Sequence, residues 1–199
     1  MTQTLRLCAI GLALLTTTAT TARAADVSPA ALQAKVRAAL RNAHAFVASV
    51  TIKPNLLAPL GGTMTFTAVA PNRYHQVVVG TPGGNDDTII IGHEVYGRKG
   101  NGWTVQTWSD YLVNGFEEDT FDVKVLSVGP DQTTSGKTVG TFVSQDPRGP
   151  KPTDSLQCTY DTTTFRPLTC ANSIFAIAYA YDDPTVAIER PANAVRLDK

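Results

Sequence analysis

Cys158 and Cys170 stand either side of eleven residues in CTYDTTTFRPLTC. Two thiols at such a spacing can hold a metal, exchange electrons or close a cystine. A structural zinc site takes four ligands, and the three histidines, His44, His75 and His93, are scattered, with no two at the i, i+4 spacing of one helix face. Redox pairs use C-x-x-C, which is far tighter. A cystine brace remains, given an oxidising compartment. Closing a loop of this length removes unfolded-chain entropy worth roughly 3 kcal/mol.

Other stretches imitate reactive motifs and fail on spacing. TTSGKT ends like a phosphate-binding loop, but G-x-x-x-x-G-K-T needs glycine where Asp131 stands. HEVYG begins like a zincin helix and has Gly97 in place of the second histidine. A Ser-His-Asp triad meets only in space, and no G-x-S-x-G elbow occurs. The acid pairs Asp86-Asp87, Glu117-Glu118 and Asp182-Asp183 fall in turn-like contexts, where solvation accounts for them. No catalyst, metal or cofactor is called for.

The N-terminus supplies the compartment. Arg6 precedes an apolar run from Leu7 to Leu15, and a Thr/Ala-rich stretch ends in Ala22-Arg23-Ala24. This is the layout of a secretory signal peptide over residues 1–24, with the mature chain, 25–199, beginning at Ala25 and exported. The apolar run is far shorter than the roughly 20 residues of a membrane-spanning helix, and Cys8 has no lipobox before it. Without the leader, 15 basic residues face 17 acidic ones. No Lys/Arg cluster exists to neutralise phosphates, which argues against nucleic acid and anionic membrane as partners. With no repeat, linker or composition break, one monomeric domain is expected.

These residues need elements to place them. Ser28 as N-cap and Pro29 in the first turn open SPAALQAKVRAALRNA, where Leu32, Val36, Leu40 and Ala43 form one apolar stripe of a helix. Afterwards nearly everything reads as short strands between Gly, Pro and Asn turns, about eleven in all, including FDVKVLSV from Phe121, PLTCANSIFAIAYAY and TVAIERP. SDYLVNGFEED has weak helical character. The class is mainly β (α+β), an antiparallel meander closed or partly closed into a barrel. In SIFAIAYAY, Phe175, Ile177, Tyr179 and Tyr181 share one face and Ile174, Ala176, Ala178 and Ala180 the other. Neither face is polar, so the strand is expected to be covered on both, by a helix or a ligand on one face and packed structure on the other, the small alanine face being one that lets a helix approach closely.

Several stretches in series carry a resemblance. They are Pro71-Asn72-Arg73-Tyr74, the hairpin DTIIIGHEVYGRKGNGW with Tyr96, Tyr160-Asp161 followed by Thr164 and Pro167, and Tyr181 with Pro184, Ile188 and Pro191. Their order resembles the LolA-like superfamily of periplasmic lipoprotein carriers, which also includes LppX-type lipid-binding proteins and the sensor domain of RseB. Gly92-His93 stands where that group has Asp-Gly.

The resemblance implies an unclosed antiparallel barrel wrapped round an N-terminal helix and a short helical lid, with an apolar cavity for the acyl chains of a lipid or lipoprotein. Sheltering a chain in transit is physically required, because each exposed methylene costs about 0.8 kcal/mol. Leu56, Leu57 and Leu60 in NLLAPLGG either form a lid or lie under the sheet, and Met64, Phe66, Tyr74 and Trp103 are the further candidates for the cavity wall. The alternative within the same group is an RseB-like envelope sensor that binds a lipidated ligand and signals to a membrane-protein partner.

Overall fold

The computed structural model describes residues 27–55, 59–81, 84–134, 136–145 and 155–197. Leader residues 1–24, and Leu56 and Leu57, lie outside them. Helix α1 (Pro29–Arg41) starts as its sequence dictates: the Ser28 hydroxyl accepts from the Ala31 amide at 3.2 Å and Pro29 occupies the first turn. Its stripe of Leu32, Val36 and Leu40, followed by Ala43, is buried. The chain then runs as a meander, β1 (Ala45–Ile52), β2 (Gly62–Val69), β3 (Arg73–Thr81), β4 (Gly84–Ile91), β5 (Glu94–Lys99) and β6 (Gly102–Thr107). Helix α2 (Asp110–Phe121) leads to a second meander, β7 (Val125–Thr134), β8 (Lys137–Ser144), β9 (Leu156–Asp161), β10 (Pro167–Ala171) and β11 (Phe175–Tyr181), and a two-residue β12 (Val195–Arg196) closes the order.

All twelve strands form one sheet in the order β12-β6-β5-β4-β3-β2-β1-β11-β10-β9-β8-β7. Its end strands do not pair with each other among the described residues, so the sheet is unclosed. The halves join at β1 and β11, paired from Phe46 opposite Tyr181 to Ile52 opposite Phe175.

Turn chemistry locks that seam. Asp182 takes the left-handed conformation (φ 55°), which a short polar side chain tolerates. Its amide donates to the Ala45 carbonyl at 2.8 Å and its carboxylate accepts from the His44 amide at 3.2 Å. Arg166 pairs with the same carboxylate and lies 4.9 Å from the Tyr181 ring centroid, while the Tyr181 hydroxyl donates to the Pro167 carbonyl at 2.9 Å. In the β9–β10 hairpin the Asp161 carboxylate accepts from the Thr163 and Thr164 amides at 2.9 and 2.8 Å. The Cys158–Cys170 disulfide joins directly opposed residues of these strands, facing the core.

The period-2 alternation sorts the strands into two faces. The inner face carries Phe46, Phe66, Tyr74, Ile90, Val95, Phe142, Tyr160 and the cystine, packed under both helices. A smaller outer cluster of Ile89, Tyr96, Val105 and Ile188 gathers Trp103 at its margin. Among the described residues the strands number twelve, in line with about eleven, PLTCANSIFAIAYAY dividing into β10 and β11 and a short β12 adding in parallel to β6. Three expectations change here. Phe121 closes α2 instead of opening β7, because its ring turns onto Phe46 and Tyr74. TVAIERP is an irregular strap, since Pro184 and Pro191 lack amide donors and Ile188 serves as its anchor on the outer face; Arg73 donates to the Ile188 carbonyl at 2.8 Å, and Arg190 and Arg196 each reach Glu94 at 3.0 Å. The alanines of β11 carry no helix: Ala178 and Ala180 are exposed, and the aromatic face is the one turned inward.

Gly140 lies opposite Tyr160, and a Cβ there would fall 2.2 Å from a carbon of the tyrosine ring. That ring is held in place between Phe142 and Phe165, at centroid distances of 5.9 and 6.0 Å. Gly140→Ala is therefore expected to cost about 1–3 kcal/mol by overpacking, read as a lowered denaturation midpoint with an unchanged slope, whereas Gly136→Ala in the open hairpin turn strains only the local φ.

Candidate functional site

Beneath the helices, the inner face of strands β1 to β3 gathers a cluster of aromatic rings. Phe66 packs against Phe46 at 5.9 Å between centroids and stacks on Tyr74 at 6.1 Å. Helix α2 closes over them through two side chains. Phe116 meets Tyr74 edge-on at 5.2 Å, Phe66 at 6.3 Å and Trp108 at 6.2 Å, and Phe121 meets Phe46 and Tyr74 at 6.2 and 6.4 Å. Edge-to-face and offset pairs at such separations add about 0.5–1.5 kcal/mol each beyond area burial.

The lid is a modest helix. Ser109 has N-cap backbone geometry without a side-chain capping bond, and Gly115 stands in its interior, where glycine costs about 1 kcal/mol relative to alanine. Its attachment depends on Phe116 and Phe121, an ion pair between Asp122 and Arg37 of α1, and one polar contact inside: the Tyr74 hydroxyl donates to Glu117 at 2.9 Å.

At the margin of this lid a cleft of about 340 Å³ opens between the end of α1, the β2–β3 turn and α2. Phe46, Ala68 and Phe121 form its apolar floor, with Arg41, Tyr74 and Glu117 among the polar lining. Farther along the same face, the row Ile177, Val50, Met64 and Val78 crosses four neighbouring strands. Val50 is buried and the other three are half-buried, so the apolar wall continues beyond the cover of the lid. Among the described residues no group of His, Cys, Asp and Glu is placed to hold a metal ion.

The residues singled out from the sequence separate. Met64, Phe66 and Tyr74 share the inner face. Trp103 is on the outer face with Arg98 over its ring; alternation around Val105, which belongs to the outer cluster, puts it there, so it is no part of the cavity wall. Leu60 is 93 % exposed in the β1–β2 loop, not under the sheet. Phe46, Phe116 and Phe121 were not among those residues, and Glu117 had the look of a solvated acid. Phe46 was visible as the start of an alternating strand, and the spacing of Val113, Phe116 and Phe121 offers the one stripe that α2 has.

No family model matches the chain, and no curated protein matches it. Solved structures similar to it include LprF from Mycobacterium bovis, at 14 % identity and a TM-score of 0.46 over 81 % of this chain and 96 % of that one. Lipoprotein LppX from Mycobacterium tuberculosis matches at 12 % and 0.47 over 80 % and 99 %. A LolA superfamily protein from Nitrosomonas europaea matches at 6 % and 0.32 over 77 % and 92 %.

Four inner-face tyrosines resist ionisation, among them Tyr160, raised by burial and then by Asp131. Burial first, then the hydrogen bond to Glu117, raises Tyr74 far above its ordinary value of 10.0; burial pushes Tyr179 up to about 12; burial and then Tyr179 raise Tyr181. Above pH 10 the unfolded chain loses protons that the folded chain keeps, so unfolding releases protons and stability falls with rising pH. This contribution is whole below pH 10 and declines between 10 and about 12 for Tyr179. Alkaline titration followed by phenolate absorbance is expected to show these tyrosines ionising late, together with loss of near-ultraviolet circular dichroism, and Tyr74→Phe is expected to lessen the decline.

Proposed function

We propose that this protein shelters the acyl chains of a lipid or lipidated protein in the periplasm, against the inner sheet face beneath α2. The observation that carries the reading is the aromatic and aliphatic wall from Phe46 through Phe66 and Tyr74 to Met64, Val78 and Ile177, covered in part by two phenylalanines of a weak helix and open at a cleft beside it. Without cargo, the rings of Phe116 and Phe121 fill the space. An acyl chain that displaces them replaces one set of apolar contacts with another, so the net cost of opening is chiefly that of moving α2. Each methylene taken from water then contributes about 0.8 kcal/mol. Met64, Phe66 and Tyr74 act as wall, Phe116 and Phe121 as lid. Leu60 supplies an exposed apolar side chain in the loop before β2, and Leu56 and Leu57, outside the described residues, are proposed to join it in contact with cargo. The role is binding without chemistry.

Purified mature protein extracted with organic solvent is expected to yield acyl species by mass spectrometry, and stripped protein to take up a fluorescent fatty-acyl probe. Met64→Lys introduces a charge on the wall at a half-buried position and is expected to weaken uptake about tenfold, equivalent to 1.4 kcal/mol, with secondary structure retained. Empty protein that takes up no probe would refute the reading.

A further inference from the structure

The cleft beside the lid carries charges that an acyl chain alone does not use. Arg41 is in the last turn of α1, and Glu117 is in α2. Both line the cleft, and both act on the Tyr74 hydroxyl between the helices, with opposite sign. Neither is neutralised: among the described residues every ion pair lies elsewhere. Glu117 accepts the Tyr74 hydroxyl through one oxygen, and Arg41 has its guanidinium 5.9 Å from the Phe121 ring centroid. The neighbouring charges are already committed, since Arg37 and Asp122 pair with each other.

We propose that this cleft takes the zwitterionic headgroup of a phospholipid or phospholipid-like amphiphile, with Arg41 on the phosphate and Glu117 on the ammonium. The chemistry fits each end. A guanidinium offers forked donors to phosphate oxygens. The Glu117 carboxylate receives an ammonium in a cleft that Phe46 and Tyr74 also line, and aromatic rings add cation–π attraction to a cation held there. Size agrees too: about 340 Å³ is at the small end of ligand sites, which run from about 300 to 1,000 Å³, so the cleft admits a headgroup while the chains pass over Phe46 and Phe121 onto the wall under α2. A purely anionic headgroup would bring its charge against Glu117, and an uncharged one would leave both charges desolvated and unmatched.

This assignment rests on the acyl-binding reading, and the test separates the two. Stripped protein is titrated with four lipids bearing the same fluorescent chain: phosphatidylethanolamine, phosphatidylcholine, phosphatidylglycerol and diacylglycerol. The zwitterionic pair is expected to bind about tenfold more tightly than either of the others. Glu117→Gln, which keeps an acceptor for Tyr74, is expected to abolish the preference over phosphatidylglycerol, and the exposed Arg41→Gln the preference over diacylglycerol. Equal binding of all four lipids, or preferences unchanged in both variants, overturns the headgroup assignment and leaves acyl binding standing. No uptake of any of the four overturns both. Melting curves check that each variant folds, and should Glu117→Gln fail to fold, Arg41→Gln decides alone.

Discussion

The seam between β1 and β11 is the constraint from which the rest of the architecture follows. Two meanders, one before α2 and one after it, become one sheet only because Phe46 through Ile52 pair with Tyr181 through Phe175. A shift by one residue would turn every inward ring outward. Asp182 prevents it by meeting His44, Ala45 and Arg166 at the start of the pairing. The landmarks Tyr181 and Pro167 are thus joinery at that seam, and Asp161 locks the turn of the β9–β10 hairpin. Their residue types follow from turns and hydrogen bonds, and reaction chemistry is not needed to explain them.

From that seam the inner face inherits its aromatic character. Tyr181, Phe46, Phe66 and Tyr74 come from four strands adjacent in space, and their rings are close enough to support one another. Such a wall buries well only if something covers it. Helix α1 covers it with a full aliphatic stripe and a good cap. Helix α2 does so with two rings, one hydrogen bond and one ion pair. The two covers differ in the strength of their local interactions, and α2 is the one that can yield with less loss.

Much of this was legible beforehand, for identifiable reasons. The Ser28 cap, Pro29 and the stripe of α1 are local signals, and they specified the helix outright. Alternation in β11 sorted its residues correctly into two sets. It gave no sign to the sets, because both Phe175-Ile177-Tyr179-Tyr181 and the alanines are apolar, and the choice of inner face is made by partners distant in sequence. Trp103 was misjudged by the same ambiguity. Helix α2 was faint because Gly115 and the Glu117-Glu118-Asp119 run dilute its stripe, and Glu117 read as a solvated acid because its partner, Tyr74, lies 43 residues away. The Arg41–Glu117 juxtaposition arises from packing two helices on one sheet and leaves no trace in spacing.

An unclosed sheet has two margins, and each of them carries its own protection. The strap sends β12 along β6 in parallel, so the bonding groups of that strand are partly occupied by the chain's own C-terminal region. At the far margin β7 carries Pro130 and two register shifts against β8, which twist and interrupt its free side. Long flat margins recruit strands from other molecules. A sheet left open between its two ends is therefore guarded against fusing with its neighbours along its rims.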